Sequence, residues 1–126
     1  EPFDKTTNSG KIINEVINCL ECECAKLNLV PYAPTDKSGK LRYPTKKEIK
    51  ECLNYLKKEI KKLNPDCIVG LGNIVNNELK KIKEYQSILI CEKHPAYIYV
   101  YKKHYLKEYI TNLIDKINKK IGVNDD

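Results

Sequence analysis

Two short apolar runs with a helix-length segment between them constrain this chain most. Cys67-Ile68-Val69-Gly70-Leu71-Gly72 and Ser87-Ile88-Leu89-Ile90-Cys91 each read as a buried strand. Between them, Asn73 to Ile82 carries Ile74, Val75 and Leu79 at helical spacing. Strand, helix and strand in that order imply a right-handed crossover and parallel pairing. A third short strand is expected at Leu27 to Val30, ahead of Pro31, Pro34 and the polar loop from Thr35 to Lys40.

Three longer helical patterns surround these runs. Residues 11–22 place Ile12, Ile13, Val16, Ile17 and Leu20 on one face, with Ser9 as the expected N-cap. Thr45 and Glu48 form a capping box ahead of a face built from Ile49, Cys52, Leu53, Leu56, Ile60 and Leu63. Pro65 ends that helix. Leu106, Ile110, Leu113, Ile114, Ile117 and Ile121 mark a last amphipathic helix. The expectation is one α/β domain over residues 1–126, organised around a small parallel sheet.

A chain of 126 residues supports one hydrophobic core. It is 41% hydrophobic and 32% charged, a globular balance. Nothing reads as a signal peptide, and no apolar run approaches the roughly 20 residues of a membrane span. A soluble, intracellular protein is expected, cytoplasmic or nucleoid-associated. The formal charge of +6 suits a polyanion such as DNA. The same lysine, isoleucine and asparagine excess follows from AT-rich coding, so charge lends only mild support.

Six cysteines raise the question of metal. Cys19, Cys22 and Cys24 cluster, whereas Cys52, Cys67 and Cys91 are scattered. Cys19-x-x-Cys22 offers half of a metal site, and no second close pair follows. Cys67 and Cys91 sit inside apolar runs and read as core thiols.

The second apolar run continues into Glu92-Lys93-His94-Pro95-Ala96-Tyr97. Pro95 pushes His94 out of the helical region, leaving an imidazole at the end of a strand. Parallel sheets build their sites there. Taken alone, the tripeptide better fits a histidine satisfied at a loop edge, and the rest of the chain reverses that balance. Gly70-Leu71-Gly72-Asn73 makes a strand-to-helix turn where backbone N–H groups can meet an anion, or where glycine only permits tight turning. Tyr97, Tyr99 and Tyr101 alternate beside Lys93, Lys102 and Lys103. They fit an aromatic wedge flanked by phosphate contacts, one face of a strand, or a first helical turn.

The order of these pieces resembles the uracil-DNA glycosylase superfamily, nearest its family-4-like and phage-like branches. Glu1-Pro2-Phe3, Leu27-Asn28-Leu29-Val30, Tyr43-Pro44-Thr45-x-x-Glu48-Ile49-x-x-Cys52, Pro65-x-x-Ile68-Val69-Gly70-Leu71-Gly72 and His94-Pro95-Ala96 carry it, from Glu1 to about Ile117. The resemblance implies a three-layer α/β/α sandwich around a small parallel sheet. It implies a DNA repair glycosylase that flips uracil out of the stack and hydrolyses its N-glycosidic bond. Phe3 then stacks on the flipped base, Asn28 reads its edge, and His94 donates to its O2 oxygen. An amide suits edge reading because it offers a donor and an acceptor side by side. Gly72, Asn73, Lys93, Pro95, Ala96, Tyr97, Lys102 and Lys103 would contact DNA.

Two departures accompany the resemblance. The family's first motif, a strand and a Gly-x-x-Pro-Gly turn with the water-positioning residue, precedes the Pro-Phe element, and Glu1 already stands next to it here. Neither Glu1 nor Asp4 aligns with that residue: either the strand is lost or it lies outside this sequence, and another chain or fragment would fill the sheet edge it leaves. Family-4 members also hold an iron–sulfur cluster. Cys52 matches one ligand position, but Tyr32 occupies another, so no cluster and no other cofactor is expected. The alternative function is a catalytically inactive relative that binds DNA or a protein partner through the old site. A generic nucleotide-binding domain using Gly70-Leu71-Gly72 ranks below both, because the third glycine and a following acidic residue are lacking.

Overall fold

The computed structural model describes residues 3–29, 37–40 and 42–122. Its helices and strands are α1 (Asn8–Asn18), α2 (Lys46–Leu63), β1 (Ile68–Leu71), α3 (Asn73–Leu79), β2 (Leu89–Glu92), α4 (Pro95–Tyr101) and α5 (Leu106–Ile121). The chain groups into two compact units, Glu1–Lys26 with Asp66–Asp126, and Leu27–Pro65.

In the first unit β1 and β2 pair in parallel, with Val69 opposite Ile90 and Gly70 opposite Cys91. Successive strand residues face opposite sides of a sheet. Val69 and Ile90 face a cluster formed by Ile12 and Val16 of α1, Ile98 of α4, and Tyr109, Ile110, Leu113 and Ile117 of α5. On the other side Gly70 lies under Asn76 and Leu79 of α3. Helices therefore cover both faces, the layering expected of this fold. Leu113 is fully buried at the centre of the cluster. Such a side chain contributes about 1.5–3 kcal/mol by leaving water.

Helix α1 starts earlier than its apolar pattern suggests. Thr7, not Ser9, is the N-cap: its Oγ1 accepts from the Gly10 N–H at 2.9 Å. The same hydroxyl donates to the Asp4 carbonyl at 2.8 Å, and the Thr7 N–H donates to that carbonyl at 3.0 Å. A turn over Asp4–Thr7 thus feeds the helix directly. The helix ends at Asn18, yet Leu20 beyond it still packs against the core.

The expected strand at Leu27–Val30 is not formed. In a strand Leu27 and Leu29 would share one face. Instead residues 27–29 are irregular and join no ladder, with Leu27 37% exposed and Leu29 only 5%. Val30 lies outside the described residues. Among the described residues the sheet has two strands rather than three.

Of the readings open for the tyrosine-rich segment after His94, the helical one holds: the segment forms α4. Proline at the first helical position has a fitting φ and loses no needed N–H.

In the second unit, α2 opens with the capping box read from the sequence. Thr45 Oγ1 accepts from the Glu48 N–H at 3.1 Å, and Glu48 Oε1 accepts from the Thr45 N–H at 2.9 Å. Arg42 grips the same carboxylate at 2.6 and 3.0 Å. That guanidinium, then the Thr45 N–H, pull the Glu48 carboxyl down to about 2. Asn64, in the left-handed conformation at φ 46°, caps the far end ahead of Pro65. Cys52, Leu56 and Ile60 form its buried stripe. No helix among the described residues is long and apolar enough to cross a membrane.

Candidate functional site

The carboxyl end of the parallel sheet carries His94. Its backbone is extended (φ −61°, ψ 138°), as the following proline requires, and it serves as the N-cap of α4. The Ala96 N–H donates to its Nδ1 at 3.0 Å. A neutral imidazole has one donor and one acceptor nitrogen, so accepting at Nδ1 puts the proton on Nε2. Burial holds the ring's pKa below the usual histidine value. His94 is therefore a neutral ring with its tautomer set and Nε2–H as its donor.

Two neighbours confine this ring. The Phe3 ring lies 5.6 Å away, centroid to centroid, tilted by 31°. Gly72, at φ +101°, lies so close that a Cβ there would be 3.5 Å from His94 Cβ and 3.8 Å from Cδ2. Gly72 also donates its N–H to the Glu92 carbonyl at 3.0 Å. This glycine thus closes the tight turn, and its N–H belongs to the sheet rather than to an anion. Asn73, the first residue of α3, is exposed.

Phe3 is held in the left-handed region, at φ 55°. Side-chain donors fix its carbonyl: Asn14 Nδ2 at 3.3 Å and Lys26 Nζ at 3.5 Å. Gly10 lets α1 approach this turn, since a Cβ there would fall 1.7 Å from the Asp4 carbonyl oxygen. Asp4 Oδ1 accepts from the Thr6 N–H at 2.8 Å and from Thr6 Oγ1 at 2.9 Å. Those bonds lower the carboxyl's pKa. Glu1 lies outside the described residues.

Beyond the imidazole, α4 presents aromatic rings with lysines over them. Tyr97 and Tyr101, one helical turn apart, have centroids 5.2 Å apart. Lys93 Nζ sits 4.6 Å from the Tyr97 centroid, and Lys103 Nζ 4.6 Å from that of Tyr99. Tyr97, Val100 and Tyr101 are exposed, as are Lys93, Lys102 and Lys103. Pro95 is fully buried and Ala96 half-buried, so these two shape the turn rather than the surface.

The family model described as the uracil DNA glycosylase superfamily matches residues 1–118. The chain belongs to the uracil-DNA glycosylase superfamily. Neither a curated protein nor a solved structure matches it. Membership carries a glycosylase-like function with DNA as the substrate class.

Against that membership, the structure joins two of the three expected glycosylase residues, Phe3 and His94, within one unit. Asn28 is exposed and belongs to the other unit. Tyr32 lies outside the described residues. Cys52 is buried on α2, while Cys19, Cys22 and Cys24 are exposed. The Cys22 and Cys24 sulfurs lie 3.9 Å apart. Among the described residues no three His, Cys, Asp or Glu side chains are grouped to hold a metal ion. Sequence reasoning missed the supports: Gly10 and Asn14 beneath Phe3, and Asn76 and Tyr109 behind His94. A glycine in the first turn of α1 and an asparagine four residues later were the available signals for the first pair.

Proposed function

We propose that this chain excises uracil from DNA by hydrolysing the N-glycosidic bond of a nucleotide flipped out of the stack. The carrying observation is the imidazole of His94, whose Nδ1 accepts from the Ala96 N–H and so leaves Nε2–H as the donor. When the bond between sugar and base breaks, its electron pair leaves with the base and negative charge gathers on uracil O2. Water adds to the electron-poor sugar carbon and loses a proton. A fixed donor at O2 stabilises the departing anion, and donors of this kind are worth about 3–4 kcal/mol. A neutral donor suits this role, since it needs no proton transfer.

Phe3 supports the reading as a stacking surface next to that donor, compensating part of the cost of unstacking. Asn28 is the base reader by its match to the family's edge-reading asparagine. Its exposed amide can offer O4 a donor and N3–H an acceptor. The lysines and tyrosines of α4 fit phosphates and unstacked bases. We further propose a cluster-free enzyme of the family-4-like type, since Tyr32 matches a position that is cysteine in cluster-bearing members.

The test is excision from a labelled oligonucleotide with one uracil, single- and double-stranded, followed by alkaline cleavage. Cleavage abolished by His94→Ala supports the reading. Absence of cleavage, with salt-dependent DNA binding retained, overturns it in favour of a silent binder.

A further inference from the structure

The core position of Tyr109 on α5 needs a ring but not a hydroxyl. The residue is 4% exposed and packs within the apolar cluster. Phenylalanine would fill that space, and a buried hydroxyl is costly unless it is bonded. The Tyr109 hydroxyl donates to the Lys93 carbonyl at 2.6 Å. That oxygen lies in the same rigid peptide plane as the His94 nitrogen and Cα. Holding it fixes the direction in which the chain delivers the imidazole. Burial, then the charge of Glu92, raise the phenol's pKa, so it stays a donor.

The preceding carbonyl is held as firmly. Glu92 O accepts from the Gly72 N–H and from Asn76 Nδ2, each at 3.0 Å. Two successive carbonyls ahead of His94 are thus anchored from the β1–α3 turn, α3 and α5, and the ring itself is anchored at Nδ1.

We infer that Tyr109 is a positioning residue for His94, setting the peptide plane that carries the imidazole through its bond to the Lys93 carbonyl. The inference rests on His94 being the oxygen donor proposed above, but part of its test does not depend on excision.

Tyr109→Phe removes one oxygen and keeps the ring. Single-turnover excision of uracil should slow by about tenfold or more, since a small misplacement of a reacting group is costly. The substrate concentration at half-maximal rate should change by less than about twofold, because the hydroxyl touches no substrate. In the full chain, nitrogen-15 spectra of His94 should move from a single Nε2–H tautomer towards the averaged signal of an unconstrained imidazole. Leu113→Ala serves as control, opening a cavity in the same cluster without touching the Lys93 carbonyl. It should lower thermal stability yet keep the tautomer signature. An unaltered signature in Tyr109→Phe overturns the inference, as does an equal change in Leu113→Ala. If the wild-type chain excises no uracil, the proposed function fails, and the spectra alone decide the role of Tyr109.

Discussion

Phe3 and His94 stand 5.6 Å apart, ring to ring, although one opens the described chain and the other follows its second strand. The approach is built from the Phe3 side. Asn14 and Lys26 hold its carbonyl, and its φ of 55° keeps it in a region that side chains avoid. Strain of this kind persists where surrounding contacts impose it, commonly at functional sites.

Phe3→Gly separates ring from backbone. Glycine adopts the positive φ freely, recovering about 1–2 kcal/mol and offsetting the lost ring contact. Thermal stability should therefore change little. Single-turnover excision should fall by about tenfold to a hundredfold, the scale of one lost base–aromatic stack. Unchanged excision would remove Phe3 from the site.

Gly72→Ala tests the turn that borders the imidazole. The new methyl would lie 3.5 Å from His94 Cβ, an ordinary contact, so space is not the obstacle. The φ of +101° is. The expected loss is about 1–3 kcal/mol, read as a lower urea midpoint at unchanged slope. A midpoint equal to wild type would mean that the backbone relaxes without cost.

Asn28→Asp changes charge and donor capacity with almost no change in shape. The residue is exposed, so a carboxylate there ionises without a burial penalty and the fold should persist. An ionised carboxylate cannot donate to uracil O4. Excision should drop by at least about tenfold, the scale of an unmade polar contact. Wild-type rates would sink its assignment as base reader.

The α4 surface offers two separable contributions. Tyr101→Ala should weaken single-stranded DNA binding by about 1–3 kcal/mol and leave the salt slope intact. Lys93→Gln and Lys103→Gln should each reduce that slope by about one, since each removes one phosphate contact. A slope that moves with Tyr101 and not with the lysines would reverse these roles. Binding isotherms across a salt series measure both.

Local rules made much of this fold legible. The β1–α3–β2 crossover follows from two apolar runs around one helical pattern, and the Thr45–Glu48 capping box from residues three apart. His94 was legible because proline dictates its backbone. What stayed hidden depends on distant partners. Leu27 to Leu29 has strand composition, but pairing decides whether a strand forms, and no ladder reaches it among the described residues. Alternating tyrosines left a strand face and a first helical turn both open; Pro95 and the Nδ1 cap decide for a helix that brings Tyr97 and Tyr101 together. Tyr109 draws no notice in the sequence, because its hydroxyl's partner lies 16 positions back.

The acid limb of the pH profile should belong to His94. Charging the ring puts a proton on Nδ1, which would then face the Ala96 N–H as donor against donor. The cap breaks and Nε2 loses its aim, so excision should be flat above the usual histidine pKa and fall as pH drops through the lowered one. The same linkage acts on stability. A pKa lower in the folded than in the unfolded chain means that the unfolded state binds more protons between the two values. The contribution is therefore complete above the unfolded pKa, near 6.5, and is lost as pH falls through the folded one. His94→Asn keeps an N-cap acceptor and cannot titrate. Urea unfolding of both proteins across this range should show the wild type losing stability relative to the variant as pH falls. A constant difference between them would mean that the imidazole titrates without feeling the fold.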